Sequence, residues 1–341
     1  MAKKGVLLIN LGTPDSPSEA DVKKYLDEFL MDKRVIDVHP LLRTVLVKGV
    51  IVPFRGAKSA RLYQKIWSDV NGSPLMYYSR LQKQLLQERL GDDYMVELAM
   101  RYQNPSIELA LKNFMLKQAE SIRVIPLFPQ YSSACTGSIY DKVMEIVKEW
   151  PVIPNLSFIN SFHNNVLMID AFADNGLKHH PENYDHVLFS FHGLPERQLM
   201  KSDSSQHHCL RKPGCCTSMD GQNRFCYSAQ CYQTAKLIAG KAGIPEEKYT
   251  VCFQSRLGKT PWIKPYTGEV ISQLAREGKK RLLVFCPAFV ADCLETLHEI
   301  NEEYSEAFLK MGGEELKLVQ GLNDSPKWIA SLTQLSTDLT H

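Results

Sequence analysis

The chain has 341 residues, 44% of them hydrophobic, and its Lys+Arg 40 against Asp+Glu 38 give a formal net charge of +2. That length can bury a large core and suggests two domains. The near balance of charge leaves no global field for nucleic acid, no nucleic-acid motif is present, and no run approaches the roughly eighteen uninterrupted apolar residues of a membrane span.

The N-terminus, MAKKGVLLINLG, carries an apolar run too short for a signal peptide and broken by Asn10 and Gly12, so it reads as the first strand of a cytoplasmic protein. Strand-like runs recur at residues 95–100, 122–128, 156–159, 187–191, 249–253 and 282–285, with helical patterns at 107–120, 166–179, 229–242 and 267–277. Strands alternating with helices of this length predict right-handed βαβ units and parallel sheets. The simplest division is into two doubly wound halves with a break near residues 150–154, where WPVIP interrupts both patterns. The stretches LFPQYSSACTG and LFSFHGLP, each a strand stopping in a polar turn, echo one another as two similar domains would.

Residues 41–54 (LLRTVLVKGVIVPF) depart from the alternation, being apolar with two basic residues and followed by Arg55, Lys58 and Arg61. They read either as a core helix or as an exposed apolar flap over a greasy ligand or a lipid surface. Polar groups suited to a carboxylate rim occur at Tyr63 with Ser73 and at Arg101 with Tyr102.

The segment LFSFHGLP delivers His192 to the mouth of an apolar strand, the edge where ligands bind in open α/β sheets. Gly193 lets the chain turn without covering the imidazole, and Pro195 keeps helix away from it. The alternative is a histidine that caps its own strand. Further on, Trp262 in PWIKP is either core or the wall of a flat aromatic site. In CPAFVADCLETLHEINEEY, Glu295, Glu299 and Glu303 recur every four residues along one helix face, drifting about forty degrees per step. A π-bulge would remove part of that drift. Asp292 and Glu295 also have the spacing of a capping box, so the row is either a solvated face or a ladder of oxygen ligands for metal or protons.

Of the nine cysteines, Cys135, Cys252, Cys286 and Cys293 are scattered as small hydrophobes. Cys209, Cys215, Cys216, Cys226 and Cys231 instead crowd into one polar, turn-rich segment, which reads as a metal site in a reducing compartment. Four thiolates suit a structural zinc or an iron-sulfur cluster, and spacing does not choose between them; His207 and His208 are alternative zinc ligands.

Taken together, INLGTP, GSP, MRY, PQYSSACTG, FHGLP, SRLGKTPW, ADCLETLHEI and LNDSPKWI, in this order and nearly end to end, make the chain resemble the ferrochelatases. These enzymes insert ferrous iron into a porphyrin late in haem synthesis. The resemblance implies an α/β fold of two similar doubly wound, Rossmann-like, chelatase-type domains facing across a porphyrin cleft. These would span 1–155 and 156–312, with 313–341 packing back on the first and the cysteine-rich insertion 207–231 in the second. It implies that His192 is the active-site histidine and Glu295 its partner across the ring, with Glu299 and Glu303 continuing as a metal relay. It further implies that Leu11, Trp262 and Phe289 line the porphyrin faces, that Arg55, Tyr63 and Ser73 lie near its propionates, and that Arg101 and Tyr102 flank the pocket. Residues 41–54 correspond to the family's apolar lip.

The residue types suit the reaction. Metal enters only a bent macrocycle that has lost two pyrrole protons, so a stiff pocket would hold the ring distorted, an imidazole would accept protons and carboxylates would deliver the iron. The opposite assignment, with His192 presenting the metal, stays open. Cys293 stands where many relatives carry histidine, so a relay role there is not carried over. Some ferrochelatases hold a 2Fe-2S cluster, and a bacterial class resembles this chain in its internal cysteines; the expectation is therefore 2Fe-2S on Cys209, Cys216, Cys226 and Cys231, with Cys215 as substitute for Cys216 and structural zinc as alternative. Protoporphyrin IX is the expected acceptor, with coproporphyrin, a cobalt chelatase, or a non-catalytic tetrapyrrole or haem carrier with an iron-sulfur sensor as alternatives. Expected partners are porphyrin, ferrous iron, an iron donor protein and, peripherally, the inner membrane.

Overall fold

Two all-parallel four-stranded sheets organise the computed structural model, which describes residues 3–258 and 260–338. Lys259 of the SRLGKTPW motif, and residues 1–2 and 339–341 at the ends of the expected domain spans, lie outside the described residues. The strands are β1 (Lys4–Gly12), β2 (Tyr94–Tyr102), β3 (Ser121–Pro126), β4 (Asn155–Phe158), β5 (His186–His192), β6 (Tyr249–Gln254), β7 (Arg281–Phe285) and β8 (Glu315–Leu318). The sheets run β2-β1-β3-β4 and β6-β5-β7-β8, the same order of second, first, third and fourth strand. Val6 to Ile9 of β1 and Val187 to Phe189 of β5 are fully buried, because a central parallel strand is covered on both faces. That is why these strands are continuous apolar runs rather than alternating ones.

The chain divides into two compact units: unit 1 comprises Met1–Phe128, Ser132–Asn160 and Ile329–His341, and unit 2 comprises Pro129–Tyr131 and Ser161–Trp328. In unit 1 the helices Ile107–Leu116 and Ser138–Val147 lay Leu111, Phe114, Ile139 and Val143 against Leu7 and Ile9 of β1. Within unit 2 the helix Thr267–Arg276 brings Ile271 and Leu274 onto Leu188, Leu282 and Val284. Helix starts follow from side-chain caps: Ser18, Ser73, Ser106 and Asn165 each accept an amide hydrogen three residues on.

Two placements differ from expectation. The segment from 313, expected to return to the first domain, adds β8 to the sheet of unit 2 and joins unit 1 only from Ile329. As an edge strand, ELKL needs only Leu316 and Leu318 inward, so four residues suffice. The break at 150–154 joins the helix Ser138–Val147 to β4 inside unit 1. Residues 41–54 are helical, with a π-helical turn at Val45–Ile51, and are mostly exposed rather than core: Val47 is buried, but Leu41, Leu42, Val45, Val50 and Phe54 are 49–80% exposed.

Candidate active site

His192 ends β5, flanked by β6 on one side and β7 on the other, at the point where the strand order of unit 2 reverses. Such a switch point opens a crevice at the carboxyl edge of a sheet. The half-buried imidazole places Nδ1 2.7 Å from the Gly193 carbonyl oxygen. A carbonyl can only accept, so Nδ1 carries the proton and, in the neutral ring, Nε2 keeps its lone pair. Trp262 and Phe289 lie with ring centroids 6.4 and 6.5 Å from the imidazole. Gly193 is required by space: a Cβ there would come 2.9 Å from the Gln254 carbonyl and 3.2 Å from the Trp262 ring.

The acidic row lies on a π-helix, Glu295–Tyr304, where the sequence pattern allowed only a π-bulge. Its three carboxylates have different surroundings: Glu295 is half-buried, Glu303 is exposed, and Glu299 is held from several sides. Glu299 accepts from the Ser255 amide at 2.8 Å, the Gln254 side-chain amide at 3.1 Å and the Tyr304 hydroxyl at 3.3 Å, and also from the Ser255 hydroxyl. Burial, reinforced by the Glu299 charge, pushes the Tyr304 phenol well above its ordinary range, so it stays a donor. Beside this network lies a cavity of about 510 Å³ whose lining includes Ser255, Arg256, Tyr266, Glu269 and Tyr304.

The helix start is fixed by Asp292 without a capping box. Its buried carboxylate accepts from Thr296 Oγ1, the Gly321 amide and Asn323 Nδ2, tying the helix to the segment after β8. Cys293 is buried; burial first, then the Glu295 carboxylate it donates to, keeps it a thiol. Gln254 and Ser255 are functional candidates the sequence reading missed. Their only signal was a Gln-Ser pair closing a strand, and its meaning comes from the register that sets Gln254 opposite His192.

The remaining candidates belong to unit 1. Leu11 is half-buried near the end of β1, and Gly12 must be glycine because its φ is +121° and a Cβ would overlap the Tyr102 carbonyl. Arg55 is exposed on the helix Val52–Ile66, whereas Tyr63 is buried edge-on to Tyr25 and Trp67, and the Ser73 hydroxyl caps the helix Pro74–Leu90. Arg101 and Tyr102 converge on Asp32: its Oδ2 accepts from Arg101 Nη2 at 2.7 Å and the Tyr102 hydroxyl at 3.0 Å, with Ser138 joining them.

In the cysteine-rich segment the thiols of Cys209 and Cys216 both donate to Cys226, whose pKa falls far below that of an ordinary thiol while theirs rise. Cys215 Sγ is 3.5 Å from Cys216 Sγ. Cys231 stands apart, fully buried in the helix Tyr227–Lys241, where burial raises its pKa and Tyr227 is its hydrogen-bond partner. His208 is buried with Nδ1 on Gln222 and Nε2 near the Cys215 carbonyl, and His207 is exposed. The sulfur donors are of the right kind for an iron-sulfur or zinc site, but among the described residues no three His, Cys, Asp or Glu side chains converge as a metal-binding group. Asp203 orders the loop by accepting from the amides of Ser205, His208 and Cys209, and Tyr227 donates to the His192 carbonyl at 2.8 Å.

A histidine and an acidic helix at the switch point of a doubly wound unit, with a second unit of the same strand order, define a chelatase-type fold. Solved structures agree on the fold. SirB from Bacillus subtilis with Fe3+ superposes with a TM-score of 0.51 at 10% identity, covering 98% of this chain and 96% of that one. The cobalt complex of the sirohydrochlorin chelatase SirB from the subspecies spizizenii gives 0.50 at 13%, covering 98% and 95%. The chain belongs to the ferrochelatase family, whose model, described as Ferrochelatase, matches residues 3–339. A ferrochelatase of Legionella pneumophila (strain Lens) is 46% identical over 333 residues, 98% of each chain, and one of Coxiella burnetii (Dugway strain) is 45% identical over 336 residues, 98% of this chain and 93% of its own. This is therefore a lyase that inserts metal into a porphyrin, and the non-catalytic carrier is set aside. No helix among the described residues is long and apolar enough to cross a membrane.

Proposed function

We propose that the enzyme inserts ferrous iron into protoporphyrin IX, with His192 as the pyrrole-proton acceptor and Glu295 as its acidic partner. The carrying observation is the 2.7 Å contact between His192 Nδ1 and the Gly193 carbonyl, which leaves Nε2 as the basic atom. Trp262 and Phe289, close to that ring, offer apolar faces for a flat macrocycle held bent. Glu299 and Glu303 continue the acidic helix toward solvent as the metal's approach. The intact apolar segment 41–54 favours protoporphyrin over the more carboxylated coproporphyrin, and its five exposed apolar side chains support peripheral contact with the inner membrane. A cytoplasmic location and an iron donor protein belong to the same reading.

The reading extends to a 2Fe-2S cluster on the cysteine-rich segment. Its support is the donor chemistry and the crowding of five cysteines into residues 209–231 of the sequence, with Cys209, Cys216, Cys226 and Cys231 as the ligands and Cys215 as substitute for Cys216. Its role would be structural, since Tyr227, next after Cys226, holds the His192 carbonyl. The test is to purify the protein without air, record its visible spectrum, and follow porphyrin fluorescence on adding ferrous iron or zinc with protoporphyrin and coproporphyrin in parallel. Faster metallation of protoporphyrin is expected; preference for coproporphyrin would overturn the acceptor assignment, and a colourless protein would overturn the cluster. A colourless but fully active Cys226→Ser variant would remove the structural role.

A further inference from the structure

We propose that Gln254 is a positioning residue that fixes the acidic π-helix relative to His192. The inference rests on the reading of His192 and Glu295 as reacting groups. Gln254 closes β6 in parallel register with His192, and its carbonyl accepts from the Gly193 amide at 2.8 Å. Its side chain, 1% exposed, runs from the strand to the helix. Oε1 accepts from Ser190 Oγ of β5 at 2.8 Å, while Nε2 donates at 3.1 Å both to the Glu295 carbonyl and to Glu299 Oε2.

The direction of the amide follows from its partners. Serine can donate or accept, but a carbonyl and a carboxylate only accept, so the N–H₂ end must face the helix. Every contact Gln254 makes on that side lands on the first turns of the helix that carries Glu295. Burying an amide where a leucine would fill space costs free energy unless its bonds are made. One side chain thus links the backbone on which His192 sits to both carboxylate residues, and its loss lets the first turn of the helix shift against the imidazole. A displacement of this kind lowers the rate of a step that needs aligned groups more than it weakens binding of a large flat substrate.

The experiment compares wild type, Gln254→Met, Glu299→Gln and the double variant, using zinc insertion into protoporphyrin and thermal denaturation. Gln254→Met is expected to lower kcat about tenfold or more, with porphyrin KM within about twofold of wild type and metal KM raised. The double variant should lose little more than the worse single variant, because one acts through the other. Wild-type kcat in folded Gln254→Met, or fully additive losses, would overturn the proposal, as would a fall in kcat matching the unfolded fraction with the metal KM unchanged. Should Gln254→Met not fold, Ser190→Ala, which takes the hydroxyl donor from Oε1 but leaves that of Cys286 and also ends the bond to Thr267 Oγ1, must give a smaller drop of the same kind, about threefold, and an unchanged kcat there overturns it. His192→Ala run in parallel separates the two ideas: an active His192→Ala enzyme sinks the proton-acceptor reading, whatever Gln254 does.

Discussion

Units 1 and 2 repeat one sheet order, and each has a glycine at the close of its first strand, Gly12 as the last residue of β1 and Gly193 just after β5, that approaches the second strand's backbone: Gly12 against Tyr102, Gly193 against Gln254. What precedes the glycine differs. Unit 1 presents Leu11; unit 2 presents His192 with its Nδ1 proton fixed. Two of the π-helices differ in the same way, since Val45–Ile51 adjoins exposed apolar side chains and Glu295–Tyr304 carries the acidic row. A repeated fold has thus been given an apolar edge in one copy and an ionisable edge in the other, so the proposed chemistry is assigned to edge residues rather than to the topology.

The sharpest way to break this comparison is to truncate the two strand ends. His192→Ala should cost about 10²–10⁴-fold in kcat, the usual contribution of a positioned proton acceptor. Leu11→Ala should act mainly on porphyrin KM. Steady-state metallation assays decide it, and similar kcat losses from both would mean that the two edges share the chemistry.

The next contrast concerns the buried carboxylate in each unit. Asp32 is paired with a guanidinium that is itself only 15% exposed, whereas Asp292 meets neutral donors alone. Removing one partner of a buried ion pair strands the other charge, so Asp32→Ala should destabilise by about 3–5 kcal/mol. Asp292→Ala leaves an amide and a side-chain N–H₂ without acceptors and should cost about 1–3 kcal/mol. Chemical denaturation of both variants checks the order, and a larger loss at Asp292 would reverse the comparison.

The two edges were unequally legible in the sequence. Central strands announced themselves, because burial on both faces makes them unbroken apolar runs, as in VLLI and VLF. β8 did not: four residues alternating with charge look like a turn. His192 could be read from its place after such a run, and the four-residue spacing of the glutamates hinted at an unusual helix. Gln254 and Asp32 could not be read. The role of Gln254 exists only through strand register, and Asp32 meets Arg101 across 69 residues of chain. The crowding of five cysteines was plain, but which thiols meet depends on a loop organised by Asp203 and Asn223, whose side chains bond backbone groups that no motif marks.

The apolar lip of unit 1 offers a weaker effect with a clear sign. Replacing Leu41, Val45 and Phe54 by serine removes three side chains that are 65–80% exposed, so stability should hardly change. Each would contribute up to about 1.5–3 kcal/mol if fully buried in an apolar phase. Sedimentation with anionic-lipid vesicles should therefore fall by tenfold or more, and unchanged vesicle binding would remove the lipid-surface reading of this edge.

The smallest effect separates the units by their response to mild acid. His163, His179 and His186 all lie in unit 2, and burial lowers the pKa of each; His39, the only described histidine of unit 1, is exposed. For His163 the reason is visible. Nε2 is 2.7 Å from Gln233 Oε1 and so carries the proton, while buried Nδ1 has no partner among the described residues. A second proton would sit there as an unsatisfied donor. Below the ordinary histidine value of about 6.5 the unfolded chain takes up protons that the folded unit refuses, so stability falls as pH drops from there through the lower folded values. Carboxylates, with ordinary values near 4, are not yet protonated at pH 5.5. Amide hydrogen exchange from pH 7 to 5.5, corrected for intrinsic rates, should show protection falling in unit 2 before unit 1, and His163→Gln, which cannot titrate, should remove part of the difference. Equal loss in both units would mean that these histidines do not govern the acid response, and that the asymmetry of the two copies is confined to their edges.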